Sequence, residues 1–294
     1  MKIKLFLFLA FTITTALCFV VGVDVETGGM NTCLIKGDQV RCVGDNEYGQ
    51  LSVPTDFQGL SKIVIGIQHM CALDSNGVRC WGDNEVDQLN IPTNLGNVIE
   101  LKSSGASNCI KNTEGKYKCW GINGYDQFSI LDKVNNIAQL VVGPYNMCAI
   151  NEVGNVTCAG NNESGLNDIP ANLSNVEQVS VGLDHICAIT SGKVVCWGDN
   201  KYDQLNVPAD LEDVVEIGTG FIHSCAITKA GLIKCWGAGN TSGGAVILLI
   251  PPQDAGIATK LSVTWSHNCI KNTQNEVKCW GSNEEGQLNL PTEF

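Results

Sequence analysis

The side chains able to do chemistry in this 294-residue chain are 15 cysteines, 4 histidines and 30 carboxylates. Their spacing sorts them. All cysteines but Cys18 fall into pairs: Cys33 with Cys42, Cys71 with Cys80, Cys109 with Cys119, Cys148 with Cys158, Cys187 with Cys196, Cys225 with Cys235 and Cys269 with Cys279. Members of a pair lie 9 or 10 residues apart, and the first members of successive pairs lie 38, 38, 39, 39, 38 and 44 apart. Zinc ligand pairs normally sit two to four residues apart, so disulfides in an oxidising compartment are the stronger reading. His69, His185, His223 and His267 each stand two residues before the first cysteine of a pair, where Asn31, Ser107 and Asn146 stand in the other copies. Histidines dispersed over separate repeats cannot converge on one metal, so a hydrogen-bonded structural role is expected. Asp45, Asp83 and Asp199 lie in Gly-Asp-Asn turns. These lack the dense oxygen spacing of a calcium loop, and side-chain-to-backbone turn bonding accounts for them. No nucleophile–base signature, metal-ligand cluster or phosphate loop is present. We therefore expect no catalytic residue, no metal and no cofactor: a chain that is not an enzyme.

The charge balance narrows the partners. Lys+Arg is 18 against Asp+Glu 30, a formal net charge of -12, and Arg41 and Arg79 are the only arginines. A surface that tracks phosphates needs clustered cations, which excludes nucleic acid. At the start, Lys2 and Lys4 precede an apolar run from Leu5 to Val21 that ends at Val20-Val21-Gly22. This reads as a secretory signal peptide over 1–22, leaving 23–294 as one secreted, extracellular domain. No later apolar run is long enough to span a membrane, and 245–252 is short and ends in proline. Four glycosylation sequons begin at Asn155, Asn162, Asn172 and Asn240.

The period near 39 is an internal repeat, and seven copies fill the domain. In 179–208 a short strand, Val179–Val181, ends at Gly182. A nearly all-apolar strand, His185–Ile189, follows, and Ser191-Gly192 turns it into a third strand, Val194–Trp197. Near-continuous apolar strands imply that both sheet faces are covered. Short, evenly spaced strands with one Trp-Gly per repeat predict an all-β, seven-bladed β-propeller with three-stranded blades. The turns agree. Spacing 9 places two cysteines opposite each other across two-residue loops, Gly37-Asp38, Ser75-Asn76 and Ser191-Gly192. Spacing 10 needs a three-residue loop whose last position favours left-handed backbone. Gly115, Gly154, Gly231 and Asn275 stand there, the types that tolerate it. One disulfide per blade hairpin follows. Trp81, Trp120, Trp197, Trp236 and Trp280 are expected to pack between blades.

After each hairpin the chain resembles the regulator of chromosome condensation repeats, Trp-Gly-x-Asn-x-x-Gly-Gln-Leu. The match runs Trp81-Gly82-Asp83-Asn84 with Gln88-Leu89, Trp197-Gly198-Asp199-Asn200 with Gln204-Leu205, and Trp280-Gly281-Ser282-Asn283 with Gly286-Gln287-Leu288. Gly44-Asp45-Asn46 with Gly49-Gln50-Leu51 repeats it. The family's Gly-x-x-His matches Gly66 with His69, Gly182 with His185 and Gly220 with His223. In repeat length the chain is most similar to the secreted, seven-bladed β-lactamase-inhibitory branch of this superfamily. The resemblance implies a protein-binding propeller; the nuclear members act as nucleotide-exchange factors. The cysteines depart from both, Val43 and Ala159 replace the tryptophan, Leu166 replaces the glutamine, and 238–250 loses the signature.

The turn between first and second strands varies where the scaffold does not. Tyr145, Leu183, Asp184, Phe221, Ile222 and Trp265 occupy it in blades 4 to 7, expected to be exposed on one arc of one face. Apolar and aromatic anchors around an acid describe a protein-binding hot spot, and the resemblance places the partner on these turns. The expected function is a secreted protein-binding module, an inhibitor or recognition protein with an extracellular partner. A lectin-like, glycan-binding propeller is the alternative. A lectin should repeat its ligands blade by blade, and here the turns differ.

Overall fold

In the computed structural model, described for residues 23–238 and 245–292, the chain forms seven antiparallel sheets of three strands each. The proposed signal peptide, 1–22, and the sequon at Asn240 lie outside the described residues. Blades occupy 24–44, 62–82, 98–121, 137–160, 176–198, 214–237 and 258–281. Blade 5 is typical, with strands Val176–Val181, His185–Thr190 and Lys193–Gly198. Its middle strand is buried up to Ile189, as a strand covered on both faces must be. One cavity is lined by the first strand of every blade, through Thr27, Ile65, Ser103, Val141, Ser180, Thr219 and Val263. First strands therefore surround a central channel, and third strands lie outermost.

The cysteines pair within blades as the loop residues require. Cys33 is bonded to Cys42, Cys71 to Cys80, Cys109 to Cys119 and Cys148 to Cys158. Cys187 is bonded to Cys196, Cys225 to Cys235 and Cys269 to Cys279. Each pair is directly cross-strand, with Cα–Cα distances of 4.0–4.1 Å. The first cysteine of each pair lies on a middle strand and is buried. Its partner lies on an outermost strand, so Cys42, Cys80, Cys119, Cys196, Cys235 and Cys279 are only half-buried, and Cys158 alone is buried with its partner. Gly115, Gly154, Gly231 and Asn275 have φ of 76°, 78°, 76° and 59°, the left-handed backbone that a three-residue loop demands. Peptide mapping of the unreduced protein should recover only these hairpin pairs; a dominant bridge between blades, such as Cys42 to Cys71, would contradict this register.

Inter-blade contacts follow one rule. The indole of each Cys-Trp-Gly tryptophan donates to a backbone carbonyl of the preceding repeat: Trp81 to Gln50, Trp120 to Gln88, Trp197 to Leu166, Trp236 to Gln204 and Trp280 to Leu248, at 2.8–3.0 Å. The last contact is kept although 238–250 lacks the signature. A short 3-10 turn, Ala245–Leu248, returns Leu248 to the position the glutamine holds elsewhere. The Gly-Asp-Asn turns are tied as expected: Asp45 accepts from the Glu47 N–H and Gln50 Nε2, and Asn46 Oδ1 accepts from the Leu51 N–H.

Each blade is one contiguous stretch of chain, so the ring closes by side chains alone. Lys260 of blade 7 reaches Asp24 and Glu26 of blade 1, and Lys62 of blade 2 also bonds Glu26. Val23, Val25, Leu34, Cys269 and Val277 bury the seam. Asn155 in the blade 4 hairpin and Asn162 and Asn172 in the segment after blade 4 are all exposed.

Candidate functional site

The seven variable turns are held by one backbone arrangement. The carbonyl of the second turn residue accepts from the N–H that follows the third strand's terminal glycine. Thus Asp45 donates to Met30, Asp83 to Gln68, Asp199 to Asp184 and Ser282 to Ser266, at 2.7–3.2 Å. That glycine has φ of 122° at Gly44 and 110° at Gly198, and a Cβ would stand 2.1 Å and 2.6 Å from the same carbonyls. Backbone strain and close approach together account for the Trp-Gly of the repeat.

On this constant frame the side chains differ. Gly29, Ile67, Gly105, Pro144, Leu183 and Trp265 border the mouth of the channel. Phe221 packs on Trp265 with ring centres 6.0 Å apart, tilted 51°. Tyr145 meets Tyr125, from the loop after blade 3, edge-on at 5.6 Å. Asp184 accepts a hydrogen bond from Ser164 Oγ at 3.3 Å. The structure thus brings Phe221 and Trp265 together, sets Leu183 and Trp265 at the same channel mouth, and pairs Tyr145 with Tyr125. It corrects one expectation: Tyr145, Leu183, Asp184, Phe221, Ile222 and Trp265 are half-buried, not exposed. The aromatic rings shelter one another. None belongs to the inter-blade core clusters. Sequence reading passed over Ile67, Pro144 and Tyr125. Turn position pointed to the first two, whereas Tyr125 sits in another loop and only the fold brings it to Tyr145.

Immediately behind the turns lie the histidines, all buried. Each bonds through Nε2 to the next blade: His69 to Asn108, His185 to Ser224, His223 to Asn268 and, across the ring closure, His267 to Thr32, at 2.8–2.9 Å. Asn108 and Asn268 donate their own nitrogens to the carbonyls of Gln88 and Leu248. Their Oδ1 must accept, which fixes the proton on Nε2 of His69 and His223. A pattern in sequence matches this geometry. The partner is the residue just before the first cysteine of the next blade. Where that residue is polar the preceding blade has histidine; where it is Met70, Met147 or Ile186 the preceding blade has Asn31, Ser107 or Asn146. The glycine of Gly-x-x-His makes room for the ring, since a Cβ on Gly66 would stand 2.2 Å from His69 Cε1. In blade 7 Thr264 stands there and its hydroxyl pairs with His267 Nδ1 at 2.9 Å.

Burial pushes His185 down to about 3, and His223 and His267 down to about 4; His69 is lowered for the same reason. Ser224→Ile should leave the His185 ring without its partner and cost about 1–3 kcal/mol. Adding His185→Asn should recover much of that, because Asn146 before Ile186 is the native form of the same pair. Thermal melting of the two variants decides it; additive losses would contradict the pairing rule.

Among the described residues no group of three or more His, Cys, Asp or Glu is placed to hold a metal ion. No helix among them is long and apolar enough to cross a membrane.

A family profile for the regulator of chromosome condensation (RCC1) repeat matches residues 60–88, 176–204 and 258–287. No curated protein matches the chain significantly. Among solved structures, the ectodomain of the Arabidopsis thaliana receptor kinase ACR4 is similar, at 21% identity and TM-score 0.67, over 92% of this chain and 98% of that one. The ectodomain of the Physcomitrella patens receptor kinase CR4 is similar at 20% identity and TM-score 0.68, over 88% and 72%. Prp20p from Saccharomyces cerevisiae is similar at 18% identity and TM-score 0.68, over 93% and 84%. At these identities the structures speak for the fold, and the matched repeats for the lineage. Three of the seven blades thus match the RCC1 repeat, and the other four are built on the same three-stranded frame.

Proposed function

We propose that the chain is a secreted protein-binding module that seats an extracellular partner on its turn face, around the channel mouth. One observation carries this reading: seven turns share a single backbone geometry, yet their side chains differ, and the aromatic ones stand only in blades 4, 6 and 7. Packing alone would be served by repeating one residue, as the tryptophans and glycines do elsewhere in the blade. An asymmetric set of anchors fits one asymmetric protein surface better than a repeated glycan site. The fold neighbours agree with this use. Two are receptor ectodomains, and the Prp20p structure was described together with that protein's binding to Gsp1p and histones. Seven disulfides suit an oxidising, extracellular setting. Inhibition of an extracellular enzyme is the finer form of this proposal.

The test is capture from the native extracellular fluid on immobilised wild type and on Trp265→Ala/Phe221→Ala, followed by mass spectrometry. The reading expects a protein retained by the first and lost from the second. Equal retention on both surfaces would overturn the assignment, and elution by free sugar would favour the glycan alternative.

A further inference from the structure

The two faces of the ring are charged very differently. The turn face comprises the seven turns and the first residues of the loops that follow the third strands, up to the glutamine position. Besides Asp87 and Asp203, exposed and accepting from Asn90 and Asn206, those stretches carry six exposed carboxylates: Glu47, Glu85, Asp126, Glu163, Glu284 and Glu285. Among the described residues Lys201 is the one cation in them. The other lysines and the arginines among the described residues lie on strands, in the channel or towards the opposite face. There they neutralise local acids: Lys116 pairs with Glu114, Lys234 with Asp210, Lys278 with Asp254 and Arg79 with Asp56. None of the ion pairs among the described residues reaches the six turn-face carboxylates. Much of the net charge of -12 therefore sits on one face.

The carboxylates come from different blades and act on common ground. The hydroxyl of Tyr48 is pushed above its ordinary range first by Glu47, beside it, and next by Glu85, from the following blade. Like charges held together on a scaffold repel one another, and nothing in the packing of these loops requires them. Their bonds to the fold run through Asp45, Asn46 and Gln50 and their counterparts, not through the glutamate side chains. The same face carries the channel mouth, bordered by Leu183 and Trp265.

We propose that the partner of this face is a cationic protein surface, one that presents lysine or arginine side chains to the loop carboxylates and an apolar prominence to the channel mouth. This rests on the protein-binding reading and adds the chemistry of the partner. Complementary fields of this kind raise association rates and reject like-charged proteins, and they weaken with salt.

The test compares two isosteric variants of the mature chain that remove the same number of charges. One is Glu47→Gln/Glu85→Gln/Glu284→Gln/Glu285→Gln on the turn face. The other is Glu114→Gln/Asp132→Asn/Glu152→Gln/Glu212→Gln towards the opposite face. The probe is hen lysozyme, a compact cationic protein, with ovalbumin as the anionic control, at about 50 mM and about 300 mM salt. Expected is binding of lysozyme and not ovalbumin at low salt. The turn-face variant should weaken it about ten-fold and the other variant by less than about two-fold. Equal losses would mean that bulk charge alone is read, and no loss in either would mean that the face is not used; both overturn the proposal. In the capture experiment, a partner lost by Trp265→Ala yet kept by the turn-face charge variant would overturn this proposal while leaving the protein-binding reading intact.

Discussion

Acidification from pH 7 to pH 5 is expected to destabilise the ring by several kcal/mol. The sign follows from the histidines. In the unfolded chain they protonate near pH 6.5. In the folded chain burial holds His185 at about 3 and His223 and His267 at about 4, and it lowers His69. A base with a depressed folded value contributes stability that is fully present above the unfolded value. That stability is lost as the pH falls from about 6.5 towards the folded values. Each such group changes stability by about 1.4 kcal/mol per pH unit in that window, so three of them lose about 6 kcal/mol between pH 7 and pH 5. The structural cause is specific. At His69 and His223 Nε2 already carries a proton to the next blade, so a second proton would fall on Nδ1. At His69, His185 and His223 that atom is buried without a hydrogen-bond partner. His223 also repels a charge on His185 and on His267. Urea unfolding at both pH values measures the loss. In His185→Gln/His223→Gln it should shrink, and a wild type that gains stability at pH 5 would show that the histidines have acidic partners.

Trp197→Ala should cost about 3–5 kcal/mol. Its ring is buried in the seam between blades 4 and 5 with Leu166, Ile186 and Val179, and its indole N–H satisfies the Leu166 carbonyl. Truncation opens a cavity and leaves that carbonyl unpartnered. Because the turns are held by their own backbone bonds, folded protein should bind its partner as before. A Trp197→Ala protein with unchanged melting would contradict the inter-blade role.

The repeat, the strands and the disulfides were legible in sequence because each depends on residues within one hairpin. Gly115, Gly154, Gly231 and Asn275 announced loop geometry directly. The histidine partners were also legible, in the residue before each cysteine, but only once the ring shows that consecutive blades touch there. Other features required the fold. Leu248 replaces a glutamine across a disrupted stretch, with no motif to mark it. The helical turn Ile130–Lys133, preceded by Ser129 without a side-chain cap, is too short to leave a periodic signal. The clasp of Lys260, Asp24, Glu26 and Lys62 joins positions as far as 236 residues apart in sequence. At the candidate site, the variability of the turns was legible in sequence, and the shared backbone bonds that hold all seven alike were not. The pairing of Phe221 with Trp265 and of Tyr145 with Tyr125 depends on the angle between blades, which residue types do not encode.

The central claim is that the half-buried turn residues serve a partner and not the core. It is tested by measuring melting temperature and partner affinity on the same set, Trp265→Ala, Phe221→Ala and Trp197→Ala. Loss of a large aromatic anchor at an interface centre commonly removes about 2 kcal/mol or more, so the first two should weaken binding about 30-fold. Their melting should stay close to wild type, while Trp197→Ala melts early and its folded fraction binds normally. If Trp265→Ala and Phe221→Ala instead melt the ring and their surviving folded fraction binds unchanged, these residues are core and the turn face is not the binding site.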